Sequence, residues 1–176
     1  MAAVQGAESL MRKLNKLGDV SPVLLQAMKK ETERVRAAAV RYSEPGNHGE
    51  LKGSIKSKVE QSDGMIIGTV YTNKKYAMYV EFGTGPKGQD KHNGISPLVN
   101  PTYSQEGWWF PGDNIPPADA DRYHWPSMST KEGKTLYYTQ GQAAQPFMYP
   151  ALKTNEDIVV MNLKAALRAG IERSTR

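Results

Sequence analysis

Up to residue 42 the apolar side chains recur every three or four positions, and from residue 55 they recur every second one. A helix returns to one face every 3.6 residues and a strand every two, so separate stretches of each period predict helices and sheet in one chain. Ala7, Leu10, Met11, Leu14 and Leu17 lie at helical spacing, with Gly18 as the C-cap. Ser21 and Pro22 read as N-cap and first residue of a longer helix. Leu24, Met28, Val35, Ala39 and Tyr42 line one face of it, and Glu31 and Glu33 mix with Lys29, Lys30, Arg34 and Arg36 on the other. SEPGNHG, from Ser43, ends it.

Ile55, Ser57 and Val59 then alternate with Lys56, Lys58 and Glu60, and Gln61-Ser62-Asp63-Gly64 predicts a hairpin turn. MIIGTVYT is the returning strand, and Thr72-Asn73-Lys74-Lys75 a second turn. YAMYVEF reads as a third strand, with Tyr76, Met78, Val80 and Phe82 on one face and Ala77, Tyr79 and Glu81 on the other. Near the end, Pro150 opens a last helix whose face includes Val160, Leu163, Leu167 and Ile171. The expected fold class is α+β: an antiparallel β-meander covered on one face by N-terminal and C-terminal helices.

Residues 83–145 are rich in Gly, Pro, Asn and Asp, yet hold Trp108, Trp109 and Trp125 with Phe110, Tyr103 and Tyr123. A structureless loop of that length is uncommon in a compact domain. The 176 residues suit about one domain, so residues 86–140 read as an inserted loop or arm within a single domain 1–176. A return strand is expected around Thr135 to Thr139. Aromatic side chains dominate interface hot spots, which makes Trp108, Trp109, Phe110 and Trp125 candidate contacts to another protein. The alternative is that they cap the domain's own sheet.

Several kinds of chemistry are disfavoured. Gly83, Gly85 and Gly88 fit G-x-G-x-x-G, but a dinucleotide loop needs strand, turn and helix in a parallel unit. QDKHNGISPLVNP has no helical period, so the motif reads as a Gly-rich strand exit and no cofactor is expected. There is no Cys, hence no disulfide or thiolate ligand. Asp119, Asp121 and His124 have ligand chemistry but no periodic frame to aim them, so no metal is expected. No Ser sits in a G-x-S-x-G elbow, and no catalytic residues emerge. No apolar run is long enough to span a membrane, and MAAVQGAESLMRKL lacks the apolar run of a secretory signal; cytosolic assembly is expected. Residues 1–42 hold eight basic and four acidic side chains. With the aromatics, this makes single-stranded nucleic-acid binding the rival function.

The order HGELKGSIK, hairpin, YAMYVEFGTG, variable insertion, YYTQGQAAQPFMYPAL resembles the minor tail-component family of long-tailed phages, typified by the tenth gene product of a lambdoid phage. A Gly-x-Leu-x-x-Ser segment is matched by Gly49, Leu51 and Ser54. The Glu-Phe-Gly-Thr-Gly segment is matched by Glu81, Phe82, Gly83, Thr84 and Gly85, following Tyr76, Ala77, Tyr79 and Val80. Gly141 and Gln142 precede Pro146, Phe147, Pro150 and Ala151 of a Pro-Phe-x-x-Pro-Ala segment. The insertion is longer than the family's short form. The resemblance implies a non-enzymatic α+β virion protein of the tail or neck, acting in tail completion or head–tail joining. A tail terminator or head-closure connector subunit is the nearest alternative.

The implied partners are further copies in a homo-oligomeric ring, connector or head-closure proteins, and tail tube or terminator proteins, near packaged DNA and with no membrane. In this account Glu81, Gly83, Thr84 and Gly85 form a rigid corner. Glu81 accepts backbone hydrogen bonds there or is a solvated strand-end carboxylate. Tyr76, Phe82, Pro146, Phe147 and Pro150 are structural, with Phe147 in the core.

Overall fold

A computed structural model describes residues 21–43, 49–113 and 115–175. The helix expected over Ala7–Leu17 and His48 lie outside the described residues. The chain divides into two compact units, one of residues 1–74 with 147–176 and one of residues 75–146.

The first unit is organised by α1, Ser21–Tyr42. One of its faces packs on the hairpin β1 (Lys56–Ser62) and β2 (Met65–Tyr71) and on two C-terminal helices, α6 (Met148–Lys153) and α7 (Glu156–Thr175). That face is built from small residues: Ala38 and Ala39 are fully buried, and Thr32 and Val35 nearly so. Small side chains let the strands come close, and β2 answers with Gly68, where a Cβ would run into Thr32 Oγ1. Thr32 cannot swing away freely, since its hydroxyl donates to the Met28 carbonyl at 2.7 Å.

Glu31 departs from the expected polar face. It is buried, accepting from Arg34 Nε at 2.8 Å and from Asn162 Nδ2 of α7 at 3.0 Å. A buried carboxylate is tolerated when its lone pairs are filled, and here the pairing ties α1 to α7. Tyr42 is half exposed and meets Thr154 through its hydroxyl.

Between α1 and β1 lies α2, Glu50–Ser54. It gives the Gly-x-Leu-x-x-Ser residues physical roles. Gly49 holds a left-handed φ of 60° before the helix, Leu51 is buried, and the Ser54 hydroxyl lies 2.6 Å from that of Thr72. The expected hairpin forms, with seven cross-strand pairs from Lys56 opposite Tyr71 to Ser62 opposite Met65.

The last helix differs from expectation. Pro150 lies in the first turn of the short α6, which ends where Thr154 Oγ1 and Asn155 Nδ2 bond back to the carbonyls of Pro150 and Ala151. Side chains that compete for helix carbonyls favour a break. The chain then restarts at Glu156 and Asp157, acids suited to a helix N-terminus. The restart turns Val159, Leu163 and Ala166 inward and leaves Val160 and Leu167 exposed. Phe147, at the entry to α6, is 1% exposed, as expected of a core residue.

The second unit corrects the meander. YAMYVEF is not a third strand but a helix, α3 (Ala77–Phe82). Six residues are too few to separate periods of 2 and 3.6, and the buried pair is Ala77 and Glu81, four apart on one helical face. Among the described residues β1 and β2 therefore form a two-stranded sheet. Residues 83–145 are well structured: α4 (Gly85–Asp90), β3 (Trp108–Pro111), α5 (Pro117–Arg122), β4 (Ser127–Ser129) and β5 (Thr135–Thr139). The return strand at Thr135–Thr139 exists, but it is the centre of an antiparallel sheet ordered β3-β5-β4.

Two variants check this packing. Phe147→Ala should lower unfolding free energy by about 3 kcal/mol or more in urea titration; a loss under about 1 kcal/mol contradicts a core role. Gly68→Ala should cost about 1–3 kcal/mol by overpacking α1 on β2, and an unchanged midpoint contradicts the close approach.

Candidate interaction surface

α3 ends because Gly83 takes φ 76°, a conformation that glycine adopts without steric cost, while its N–H still bonds to the Tyr79 carbonyl at 3.0 Å. The chain then crosses a second stretch of backbone. Thr84 N donates to the Gln142 carbonyl at 2.9 Å, and Gln142 N returns to the Thr84 carbonyl at 3.2 Å. Lys87 N bonds to the Gln140 carbonyl, Gln145 N to the Val80 carbonyl, and Gln142 Nε2 to the Tyr79 carbonyl.

The glycines of the two motif segments are what permit this. A Cβ on Gly83 would stand 2.7 Å from Ala144 N, and one on Gly85 2.6 Å from the Gln140 carbonyl oxygen. One on Gly141, itself at φ 86°, would collide with the Thr84 carbonyl. Gly88 completes the set, with Gly83 C and Tyr103 Cε1 each within 3 Å of where its Cβ would be. The G-x-G-x-x-G spacing thus serves close backbone packing of this corner against residues 140–144. The motif expected to be a Gly-rich strand exit instead leaves one helix and enters another, the short α4.

Beside this crossing opens an uncharged cleft of about 800 Å³. Tyr76, just before α3, with Met78 and Tyr79 of α3 form one side, and Tyr103 and Trp108 another, with Gln142 at the crossing. Met78 and Tyr79 are more than half exposed, as is Leu98. Tyr103 is pinned: its hydroxyl donates to the Phe82 carbonyl at 2.8 Å, its ring stacks on His92, and burial pushes its phenol above the ordinary value.

The aromatic candidates separate into two groups. Phe110, Trp125 and Tyr137 form a cluster with centroids 5.1–6.2 Å apart, and Tyr123 stacks on Trp125 at 5.0 Å. Trp109 leans on Tyr138 and is 45% exposed; Trp108 is 39% exposed and lines the cleft. Trp108 and Trp109 are therefore available surface, whereas Phe110 and Trp125 pack within their own unit.

Glu81 is buried at 6% exposure rather than standing at a solvated strand end. Tyr76 lies on the cleft, half exposed, and Phe82, Pro146 and Pro150 are half-buried. Asp119 and Asp121 lie on α5 with His124 just beyond it, and no group of three His, Cys, Asp or Glu among the described residues is arranged around a common metal position. No helix among the described residues is long and apolar enough to cross a membrane.

Met78, Leu98 and Gln142 are surface residues that the sequence pattern did not mark as contacts. The signal for Gln142 was its place after Gly141.

The model of the HK97-gp10-like family, described as "Bacteriophage HK97-gp10, putative tail-component", matches residues 8–83. Over that stretch, from before α1 to the glycine that ends α3, the chain is similar to a phage tail component. No curated protein and no solved structure matches the chain.

Gly141→Ala tests the crossing. Both the positive φ and the Thr84 collision oppose it, so stability should fall by about 2 kcal/mol or more in chemical denaturation. A variant as stable as the parent contradicts the arrangement.

Proposed function

We propose that the protein is a structural, non-enzymatic virion subunit of a tailed-phage neck, acting in tail completion or head–tail joining as part of a ring. The observation that carries this reading is the match of residues 8–83 to a phage tail component. The surface chemistry supports it. Met78, Tyr79, Leu98, Trp108 and Trp109 expose large apolar area on the unit of residues 75–146, and no charged residue lines the cleft. Surfaces of that kind are suited to protein partners, because burying aromatic area is favourable and no charge is left desolvated. A connector or head-closure protein on one side and a tail tube or terminator protein on the other are the neighbours this role requires.

Nucleic-acid binding is less well supported by the described part of the basic segment. On α1, Arg34 is engaged by Glu31 and Arg36 by Glu33. Guanidinium groups held by carboxylates offer little net attraction to phosphate.

Immunogold labelling of purified particles should place the chain at the head–tail junction; absence from particles contradicts the role. A Trp108→Ala, Trp109→Ala double variant should leave the subunit folded yet lower the yield of tailed particles at least tenfold, since interface anchors contribute about 2 kcal/mol or more each. Normal particle yield contradicts a contact role for these two residues.

A further inference from the structure

Among the described residues, both edges of the β1–β2 hairpin are free. Its loop is Asp63–Gly64, both at positive φ (52° and 76°), a two-residue turn that makes Ser62 and Met65 a hydrogen-bonded pair. Every second residue from that pair faces the other strand. The residues between turn their backbone groups outward: Ser57, Val59 and Gln61 along β1, and Ile66, Gly68 and Val70 along β2. Among the described residues no third strand joins this sheet, and no backbone hydrogen bond outside the hairpin ladder reaches these six. A row of unpaired N–H and C=O groups is a template for another strand.

The edges are not equivalent. β1 carries Lys56, Lys58 and Glu60 on its outer face, charges that blunt an edge. β2, MIIGTVY, has no charge, and Met65, Ile67 and Tyr71 are exposed on it. A groove of about 310 Å³ opens on the helix side of β2, lined mostly by apolar residues such as Met28, Val70, Tyr149 and Leu152, with the Glu31 carboxylate, already paired with Arg34 and Asn162, also on its wall. From the hairpin it takes Gly68 and Val70 of β2, two of the residues whose backbone groups face outward, and no residue of β1. A strand added there places its inward side chains in the groove.

Such a strand needs uncharged residues at inward positions and can keep charges at outward ones. β1 meets that pattern, with Ser57, Val59 and Gln61 inward and Lys56, Lys58 and Glu60 outward. It is also the sequence β2 already pairs with, Val59 opposite Gly68 and Ser57 opposite Val70. In the same register on the free side, the partner's Val59 lies opposite Gly68, on the face of the sheet where the groove opens.

We infer that the β2 edge of one copy takes the β1 edge of a second copy, head to tail, giving a continuous antiparallel sheet through the assembly. Pairing β2 with β2 would close a dimer and leave both β1 edges open, whereas the head-to-tail contact uses both edges and repeats around a ring. The inference rests on the ring reading above.

Proline at an outward position removes an edge donor while keeping the hairpin ladder. Gln61→Pro blocks β1, and Ile66→Pro blocks β2. In native mass spectrometry of the full chain, each variant alone should be monomeric, and their mixture should give a heterodimer of about twice 19.5 kDa through the one intact junction. Gln61→Pro that still dimerises alone, a mixture that stays monomeric beside an oligomeric parent, or oligomers in both variants overturns the inference.

Hydrogen exchange on the parent needs no variant. Gly68 and Val70 amides should gain about tenfold protection or more from dilute to concentrated solution; fast exchange at every concentration overturns the inference. If edge pairing fails while the protein is still found at the neck of particles, the tail-component reading stands without it.

Discussion

At Thr84 and Gly141 two stretches of backbone pass so closely that no side chain fits between them. The unit of residues 75–146 depends on that passage. It fixes where α3 stops and α4 starts, and it receives β5 directly, because the Thr139 hydroxyl accepts from Gly141 N and β5 in turn holds β3 and β4. The aromatic surface is a consequence. Tyr76, Met78 and Tyr79 are displayed by a helix whose end is held by the crossing, and Trp108 leaves the sheet beside it. A surface held by paired backbone needs little ordering on binding, which lowers the entropic cost of assembly.

The first unit uses the same device at a different scale. Ala38, Ala39 and Thr32 make a narrow face on α1, and Gly68 lets β2 approach it. Close packing of this kind holds a two-stranded hairpin that would be marginal alone. It also leaves the outer face and both edges of the hairpin uncovered among the described residues, so the property that stabilises the subunit exposes the surface through which copies can join.

The long helix, the hairpin with its Asp-Gly turn, the α+β class and the buried Phe147 were legible, because each rests on a local pattern with one physical meaning. YAMYVEF was not. Its alternation fits a strand, and only the positive φ of Gly83 with the burial of Ala77 and Glu81 on one face makes it a helix. Glu31 was assigned to the wrong face because its partner Asn162 lies far away in sequence. The sheet within the insertion was not legible, since the pairing of Trp108–Pro111 with Leu136–Thr139 is non-local. At the crossing, Gly83, Thr84 and Gly85 stood out in the sequence through their glycine spacing, while the counterpart at Gln140–Ala144 was visible only as part of a resemblance. Phe110 and Trp125 carried the same aromatic signal as Trp108 and Trp109, and composition cannot distinguish an internal cluster from a contact surface.

A subunit that assembles through apolar and backbone contacts differs in one measurable respect from one that works through charge. Phosphate-driven complexes weaken steeply with salt, and apolar burial does not. The direct test is the mass of the purified protein by light scattering behind a sizing column, at low and high salt. The account predicts a discrete oligomer of several 19.5 kDa subunits that persists at high salt. A monomer at both salts, or an oligomer that dissolves as salt is raised, contradicts it.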